Sequence, residues 1–252
     1  MALAGQHAFV TGGGRGIGRA VAAALTGAGV AVTVIGRTEA TLKEAVAAGQ
    51  AAGYGVADVT DAAELSRAVT AAAAARGPIT ILVNNAGTAI TGAFVSTDSA
   101  IFRTMWNVHL MGAVHATQAV LPGMIERGFG RIVNIASTAA LKGFPYATAY
   151  CAAKHAIVGL TRALAVETAT RGVTVNAVCP GYTDTDLVHE NAARAAQKTG
   201  RSQKEVLAEY ARHAPIGRMI EPREVAAAVL YLCSLEAAAV TGTTLAIAGG
   251  EM

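Results

Sequence analysis

Short apolar runs rich in β-branched residues alternate with longer alanine-rich stretches of helical period along the whole chain. The runs predict seven β-strands, with helices in the intervals, at residues 7–11, 31–35, 53–57, 79–84, 131–136, 173–179 and 243–248. Runs that are apolar throughout are typical of a parallel sheet that helices cover on both faces. The pattern therefore predicts one α/β domain over residues 1–252, with a doubly wound, Rossmann-type parallel sheet.

The longest insertion in this alternation lies between Pro180 and Pro215. It is a polar stretch of helical character that follows the sixth predicted strand. Because ligands of such sheets bind beyond the carboxyl ends of the strands, we expect the insertion to overhang a ligand crevice.

Composition and charge exclude several classes of protein. With 53% hydrophobic and 15% charged residues the chain can bury a sizeable core, so a disordered chain is excluded. The net charge of +3 is scattered, which argues against a nucleic-acid partner, and no apolar stretch is long enough to predict a membrane span. The three cysteines, Cys151, Cys179 and Cys233, form no C-x-x-C pair, and the histidines show no spacing typical of metal ligands, so we expect neither a metal site nor a disulfide. We also expect a cytoplasmic protein without a secretory leader.

A glycine-rich turn follows the first predicted strand. The sequence TGGGRGIG at residues 11–18 leads directly into a helical pattern. Glycines there allow the backbone to approach a pyrophosphate at the positive end of the helix, although a plain tight turn would look similar. We predict a dinucleotide-binding loop whose contact residues are Gly12, Arg15, Gly16, Ile17 and Gly18.

The end of the second strand indicates which dinucleotide is bound. An acidic residue at this point would bind a ribose 2′-hydroxyl, whereas this chain has Gly36 followed by Arg37. Arg37 and Arg15 could both bind a 2′-phosphate, so NADP(H) is favoured over NAD(H). The alternative is that Arg37 is a solvated surface residue.

Three residues form a candidate catalytic group. Ser137 ends the fifth predicted strand, and Tyr150 and Lys154 are spaced to share one face of the next helix. We expect the Lys154 ammonium, together with an oxidised nicotinamide ring, to lower the pKa of Tyr150 from about 10 towards neutral pH. Ser137 would then hold a carbonyl or alcohol oxygen against the phenol.

Together these motifs resemble the short-chain dehydrogenase/reductase family, and its 3-oxoacyl-thioester reductases in particular, over essentially the full length. The resemblance rests on the glycine loop, on the Ser137, Tyr150 and Lys154 group, and on Asp58-Val59, Asn84-Asn85-Ala86-Gly87 and Pro180-Gly181. It implies a cofactor half over about residues 1–130 and a catalytic and substrate half over about 131–252.

The resemblance also implies roles for individual residues. Tyr150 would be the acid/base, Lys154 would bind the nicotinamide ribose, and Asp58 with Val59 would contact the adenine. The implied cofactor-binding residues beyond the glycine loop and Arg37 are Asp58, Val59, Asn85, Ala86, Gly87, Tyr150, Lys154, Pro180, Gly181 and Thr183.

The expected activity is hydride transfer between NADPH and a small-molecule carbonyl compound, with a 3-oxoacyl thioester or a related β-keto compound as the expected substrate. An NAD-dependent secondary alcohol or 3-hydroxyacyl-CoA dehydrogenase is the main alternative. A non-catalytic dinucleotide-binding redox sensor is a remote one, because such proteins tend to lose the tyrosine or the lysine. The resemblance further implies a homotetramer or homodimer joined through helices around residues 105–125 and 150–170.

One position departs from the family pattern. His109 stands where the family usually has a catalytic asparagine, and Asn107 should face the other way around the helix. His109 either fills space beside a main-chain carbonyl that holds a relay water, or takes part in the proton relay through a pKa near 6.5.

Two further groups have open interpretations. The insertion carries Arg194, Lys198, Arg201 and Lys204, which form either a solvated face or a contact for the phosphates of coenzyme A or of an acyl-carrier protein. Phe144 and Tyr146 precede the catalytic helix and either line the substrate pocket or serve packing alone.

Overall fold

A computed structural model of the chain describes residues 3–251. One sheet of seven parallel strands runs through both halves of the sequence. The strands are β1 His7–Thr11, β2 Ala31–Gly36, β3 Gly53–Val56, β4 Ile81–Asn84, β5 Gly130–Ile135, β6 Val173–Pro180 and β7 Thr244–Ile247. All seven predicted strands are therefore confirmed, with ends that differ by no more than two residues.

Helices cover both faces of the sheet. Those in residues 3–251 are α1 Gly16–Gly27, α2 Glu39–Ala47, α3 Ala62–Arg76, α4 Ser99–Met105, α5 Gly112–Arg127, α6 Thr148–Thr168, α7 Asp186–Thr199, α8 Gln203–His213 and α9 Pro222–Cys233. A π-helical segment, Trp106–Met111, joins α4 to α5. No helix in this part of the chain combines the length and the apolar character that crossing a bilayer requires.

Alternate residues of each strand face two separate cores. On β1, Val10 packs in a cluster with α1, α2 and α9, whereas its neighbour Phe9 packs with α3 and α5 on the other face. Side chains of successive strand residues point to opposite faces, so burial on both sides requires strands that are apolar throughout. The doubly wound, Rossmann-type fold predicted from this pattern is confirmed.

The strand order, β3-β2-β1-β4-β5-β6-β7, places a topological switch between β1 and β4. The chain first builds outwards from β1 to β3 and then returns to add β4 on the opposite side of β1. At such a switch the connections leave in opposite directions, which opens a crevice at the carboxyl ends of the two strands. The fold therefore locates the ligand site beside Thr11 and Asn84.

The insertion after β6 forms the helical pair α7 and α8. The two helices pack on each other through Ala192, Ala196 and Val206. Glu190 of α7 lies 3.0 Å from Arg15 in the glycine loop, measured from carboxylate oxygen to guanidinium nitrogen. The insertion thus reaches back over the crevice, as its position after a strand indicated.

Candidate active site

A cleft of about 550 Å³ opens at the carboxyl ends of the central strands. It brings together all but one of the predicted site residues: Gly12, Arg15, Gly16, Ile17, Arg37, Asp58, Val59, Asn85, Ala86, Gly87, Ser137, Tyr150, Lys154, Pro180, Gly181 and Thr183. Thr185 to Val188, at the start of α7, complete its wall, and the sequence indicated them only as part of an overhang.

The exception is Gly18, which does not line the cleft. A Cβ atom there would collide with the Gly12 carbonyl oxygen and would lie only 2.4 Å from Asn85 Nδ2, so the absence of a side chain lets α1 pack against the loop. Close approach of helix and loop therefore gives Gly18 a packing role, and the cofactor contact at this residue stays a prediction.

Gly12 and Gly16 give the loop its shape. Both have positive φ, 65° and 53°, and a Cβ on Gly12 would lie 2.8 Å from Asn85 Nδ2. The loop ends at Arg15, after which α1 begins with its free N–H groups directed at the cleft, where a phosphate binds favourably. This cradle fits the pyrophosphate of a dinucleotide.

Both predicted phosphate-binding cations have acidic neighbours. Arg15 pairs with Glu190 at 3.0 Å, and an Arg37 nitrogen lies 3.8 Å from Asp58 Oδ2. The Arg37 side chain is 77% exposed, so its pair is strongly screened by water. Both guanidinium groups can therefore turn to a dianionic ligand at small cost.

The three candidate catalytic residues meet at one end of the cleft. Ser137 follows β5, and Tyr150 and Lys154 stand one turn apart on α6. Lys154 is buried, its Nζ donates a hydrogen bond to the Ile135 carbonyl at 2.8 Å, and Nζ lies 5.6 Å from the centre of the Tyr150 ring.

The pKa of the phenol differs from the expectation. Burial raises the pKa of Tyr150 to about 12, and the hydrogen bond with Ser137 only partly offsets this. Burial also lowers the pKa of Lys154 to about 8. Burial therefore sets the direction of both shifts in the protein without cofactor. The predicted lowering of the Tyr150 pKa included an oxidised nicotinamide ring, and it stays a prediction for the loaded enzyme.

His109 lies in the π-helical segment and is buried, whereas Asn107 faces solvent as expected. The His109 Nε2 donates a hydrogen bond to the Thr88 carbonyl at 2.7 Å, which leaves Nδ1 as an acceptor. The His109 ring meets the Tyr150 ring edge to face, with centroids 5.4 Å apart. Burial, and then the Lys154 charge, hold the pKa of His109 well below its usual value, so a relay in which this imidazole titrates near neutral pH is not supported.

A small cavity of about 10 Å³ lies behind these residues, lined by Thr11, Asn84, His109 and Lys154 among others. Two buried acceptors near it, Asn84 Oδ1 and His109 Nδ1, have no hydrogen-bond partner in residues 3–251. The Asn84 amide is oriented by its donation to Asn134 Oδ1 at 2.8 Å. Asn84 belongs to a motif noted in the sequence, but no role was predicted for its side chain. A cavity of this size holds about one water molecule.

Two of the four cations in the insertion have acidic neighbours. Arg201 pairs with Glu209 at 2.6 Å, and Arg194 lies 3.9 Å from Glu190. These contacts neutralise part of the charge that a coenzyme A or carrier phosphate would need. Within the described chain no cluster of His, Cys, Asp or Glu side chains is arranged to hold a metal ion.

Comparisons with known proteins support this geometry. A family model described as short chain dehydrogenase matches residues 6–196. The chain is 42% identical to 2-(S)-hydroxypropyl-CoM dehydrogenase 3 of Xanthobacter autotrophicus, over 96% of this chain and 94% of the relative. It is 40% identical to a Streptomyces coelicolor protein named for ketoacyl reduction, over 97% and 96%. A solved variant of actinorhodin polyketide ketoreductase with NADPH superposes with a TM-score of 0.93 at 39% identity, covering 97% of this chain and 96% of that one.

Proposed function

The chain belongs to the short-chain dehydrogenase family, and on that premise we propose that it is an NADPH-dependent reductase of a 3-oxoacyl thioester or a similar β-keto compound. One observation carries the proposal: the Tyr150 phenol, together with Ser137 and Lys154, lies in the same cleft as two arginines that can bind a 2′-phosphate. The named relatives that reduce ketoacyl and polyketide substrates favour this substrate class.

Residues of this chain would hold NADPH along the whole cleft. The glycine loop and the N-terminus of α1 would bind the pyrophosphate, with Arg15 and Arg37 on the 2′-phosphate. Asp58 and Val59 would contact the adenine, and Pro180 to Thr183 would flank the nicotinamide. When bound, the cofactor supplies a hydride to the carbonyl carbon.

The protein's own contribution is to manage the proton. Ser137 donates a hydrogen bond to the substrate oxygen, and the Tyr150 hydroxyl gives its proton to that oxygen as negative charge develops there. A phenol whose pKa is about 12 is fully protonated at neutral pH. It is still far more acidic than an alcohol, since even water has a pKa of about 15.7, so the transfer runs downhill.

We further propose that a water molecule in the small cavity takes part in reloading Tyr150: a proton from bulk solvent passes through this water and the Lys154 ammonium back to the tyrosinate. Water has two donors, which match Asn84 Oδ1 and His109 Nδ1, and it can accept from the Lys154 ammonium. His109 would thus be a positioning residue: it holds Thr88 through one nitrogen and the water through the other.

Replacing His109 tests this role. His109→Leu is expected to lower kcat by about 10- to 100-fold, because the water loses an acceptor, whereas His109→Asn should keep most of the activity. The pH dependence of kcat in both variants is the measurement. If His109→Leu keeps the wild-type kcat and pH profile, the relay through this residue is excluded and a space-filling role remains.

Arg37 governs the cofactor preference in this proposal. Arg37→Ala is expected to lower kcat/KM for NADPH by about tenfold or more and to leave that for NADH within about twofold, because only NADPH carries the 2′-phosphate. Lys43→Ala removes a cation from the nearby helix α2 and serves as the control. A wild-type enzyme that prefers NADH would contradict the cofactor assignment.

The second candidate is an NAD-dependent secondary alcohol or 3-hydroxyacyl-CoA dehydrogenase. The proximity of Asp58 to Arg37, at 3.8 Å, favours it, because the carboxylate offsets part of the charge that a 2′-phosphate needs. The two functions are separated by comparing two rates: reduction of β-ketoacyl thioesters with NADPH, and oxidation of the corresponding alcohols with NAD. Faster oxidation of the alcohols with NAD would replace the leading proposal.

We also propose a homotetramer or homodimer joined through α5 and α6. Val166 on α6 is 81% exposed, although a valine gains nothing from contact with water. A partner helix would cover it.

A further inference from the structure

Aromatic residues are few in this chain and unevenly placed. It has six Tyr, five Phe and one Trp, and its cores are packed mainly with alanine, valine and leucine. Five of the aromatic residues occur around the candidate catalytic group: Phe144, Tyr146, Tyr150, Tyr182 and Tyr210. An interior built from small side chains does not need this concentration of rings at one site.

Four of these rings form a continuous aromatic wall, defined as Phe144, Tyr150, Tyr182 and Tyr210. Phe144 and Tyr150 belong to one apolar cluster, and Phe144 meets Tyr182 edge to face with centroids 6.4 Å apart. Tyr182 in turn stacks on Tyr210 of α8 at 4.2 Å with a 10° angle between the planes. The wall thus extends from the proton donor to the helical insertion.

Tyr146 follows Phe144 of this wall by two residues, and two of its features are unfavourable. Within residues 3–251 it is the one non-glycine residue with a positive φ, 62°, a conformation that an L-residue adopts at a cost. Its side chain is also 66% exposed, so the ring gains little from packing. A glycine would adopt this φ without the cost and would expose no ring, so fold stability does not explain a tyrosine at this position.

The position of Tyr146 indicates what the ring is for. It lies one helical turn before Tyr150 in the sequence, and its carbonyl accepts a hydrogen bond from the Gly92 amide at 2.8 Å. Gly92 belongs to the segment that follows β4, and Ile90 and Phe94 of that segment are also exposed. Local strain of this kind is usually retained where a ligand is bound.

We propose that this enzyme selects β-keto substrates that carry a planar aromatic or conjugated group next to the carbonyl, with Tyr146 and the aromatic wall as the specificity-determining surface. The inference rests on the proposed carbonyl reduction and adds the substrate class to it. Rings of a ligand and of the protein attract through offset stacking and edge-to-face contacts, which a small alkyl group cannot make.

A matched pair of substrates tests the proposal. Acetoacetyl-pantetheine and 3-oxo-3-phenylpropanoyl-pantetheine differ only by methyl against phenyl beside the ketone. In the wild type, kcat/KM for the phenyl substrate is expected to exceed kcat/KM for the methyl substrate. The ratio of these two values should fall about tenfold in Tyr146→Gly, in line with the loss of one aromatic contact. The melting temperature of Tyr146→Gly should not fall, because glycine relieves the positive φ.

Controls separate this role from the others. Tyr231→Ala removes another half-exposed tyrosine, on α9, and should leave the ratio unchanged. An unchanged ratio in Tyr146→Gly overturns the proposal, and a changed elution volume in gel filtration with an unchanged ratio would assign Tyr146 to a subunit contact instead.

Binding gives a readout without turnover. The 3-hydroxy products of the two thioesters, titrated by calorimetry, should show the same preference for phenyl and the same loss in Tyr146→Gly. A protein that binds the phenyl compound preferentially but reduces neither ketone supports the specificity surface and refutes the proposed reaction. A wild type with no preference in either assay refutes the specificity surface alone.

Discussion

Replacing Tyr150 with phenylalanine is expected to lower kcat by about three orders of magnitude, within the range of 10²- to 10⁴-fold that positioned acids and bases contribute. The ring remains, so the apolar contacts of Tyr150 with Phe144 and Ala147 are kept. Only the hydroxyl that would protonate the substrate oxygen is lost. Steady-state kinetics with the preferred β-ketoacyl thioester is the measurement.

The Tyr150→Phe variant must still bind NADPH, which fluorescence titration shows. The matched control is Tyr231→Phe, which removes a hydroxyl outside the cleft and should leave kcat unchanged. A folded Tyr150→Phe protein that binds NADPH and turns over at the wild-type rate would refute the proposed chemistry. If the wild type binds NADPH but reduces no carbonyl compound, the redox-sensor alternative gains support instead.

Replacing Lys154 with methionine is expected to abolish turnover and, at the same time, to stabilise the fold by about 1–2 kcal/mol at pH 7. Burial lowers the pKa of Lys154 from its usual 10.5 to about 8, so holding this ammonium charged at neutral pH opposes folding by roughly 3 kcal/mol. Methionine removes that penalty, but it leaves the Ile135 carbonyl without its hydrogen-bond donor. The lost hydrogen bond reduces the gain in stability by about 1 kcal/mol. Urea denaturation measures the difference.

The pH dependence of stability gives an independent check. Between pH of about 8 and 10 the folded protein has released the Lys154 proton, whereas the unfolded chain still holds it. The unfolded state then binds more protons, so the free energy of unfolding of the wild type rises with pH in this window. Lys154→Met should lack this rise, and Lys198→Met, at an exposed lysine of α7, should retain it. A Lys154→Met variant that is less stable than the wild type at pH 7 would contradict the burial penalty.

The sequence was most informative where chemistry depends on local spacing. Strands buried on both faces are apolar at every position, and the four-residue spacing of Tyr150 and Lys154 places them on one helical face. These features need no knowledge of which segments meet in space. The fold class, the family and the convergence of most predicted residues in one cleft were therefore predictable.

What the sequence could not supply depends on contacts between distant segments. The pKa of Tyr150 is set by how much protein surrounds it, and the packing role of Gly18 follows from its approach to the Gly12 carbonyl. The pairing of Arg15 with Glu190 joins residues 175 positions apart. The low pKa of His109 likewise reflects burial against Lys154, which neither residue type reveals alone.

The hydrogen bonds beneath the glycine loop have a consequence for the thermodynamics of coenzyme association. The side-chain Nδ2 of Asn85 donates to the carbonyl oxygens of Thr11 and Gly12 at 3.0 and 3.1 Å. The Thr11 hydroxyl oxygen accepts hydrogen bonds from the backbone N–H groups of Asn85 and Ala86. The loop is thus rigid in its receptive geometry before any nucleotide arrives, and few backbone dihedrals remain to be frozen on docking. Calorimetry should accordingly find a small conformational-entropy penalty, which Asn85→Ala would enlarge by freeing the turn.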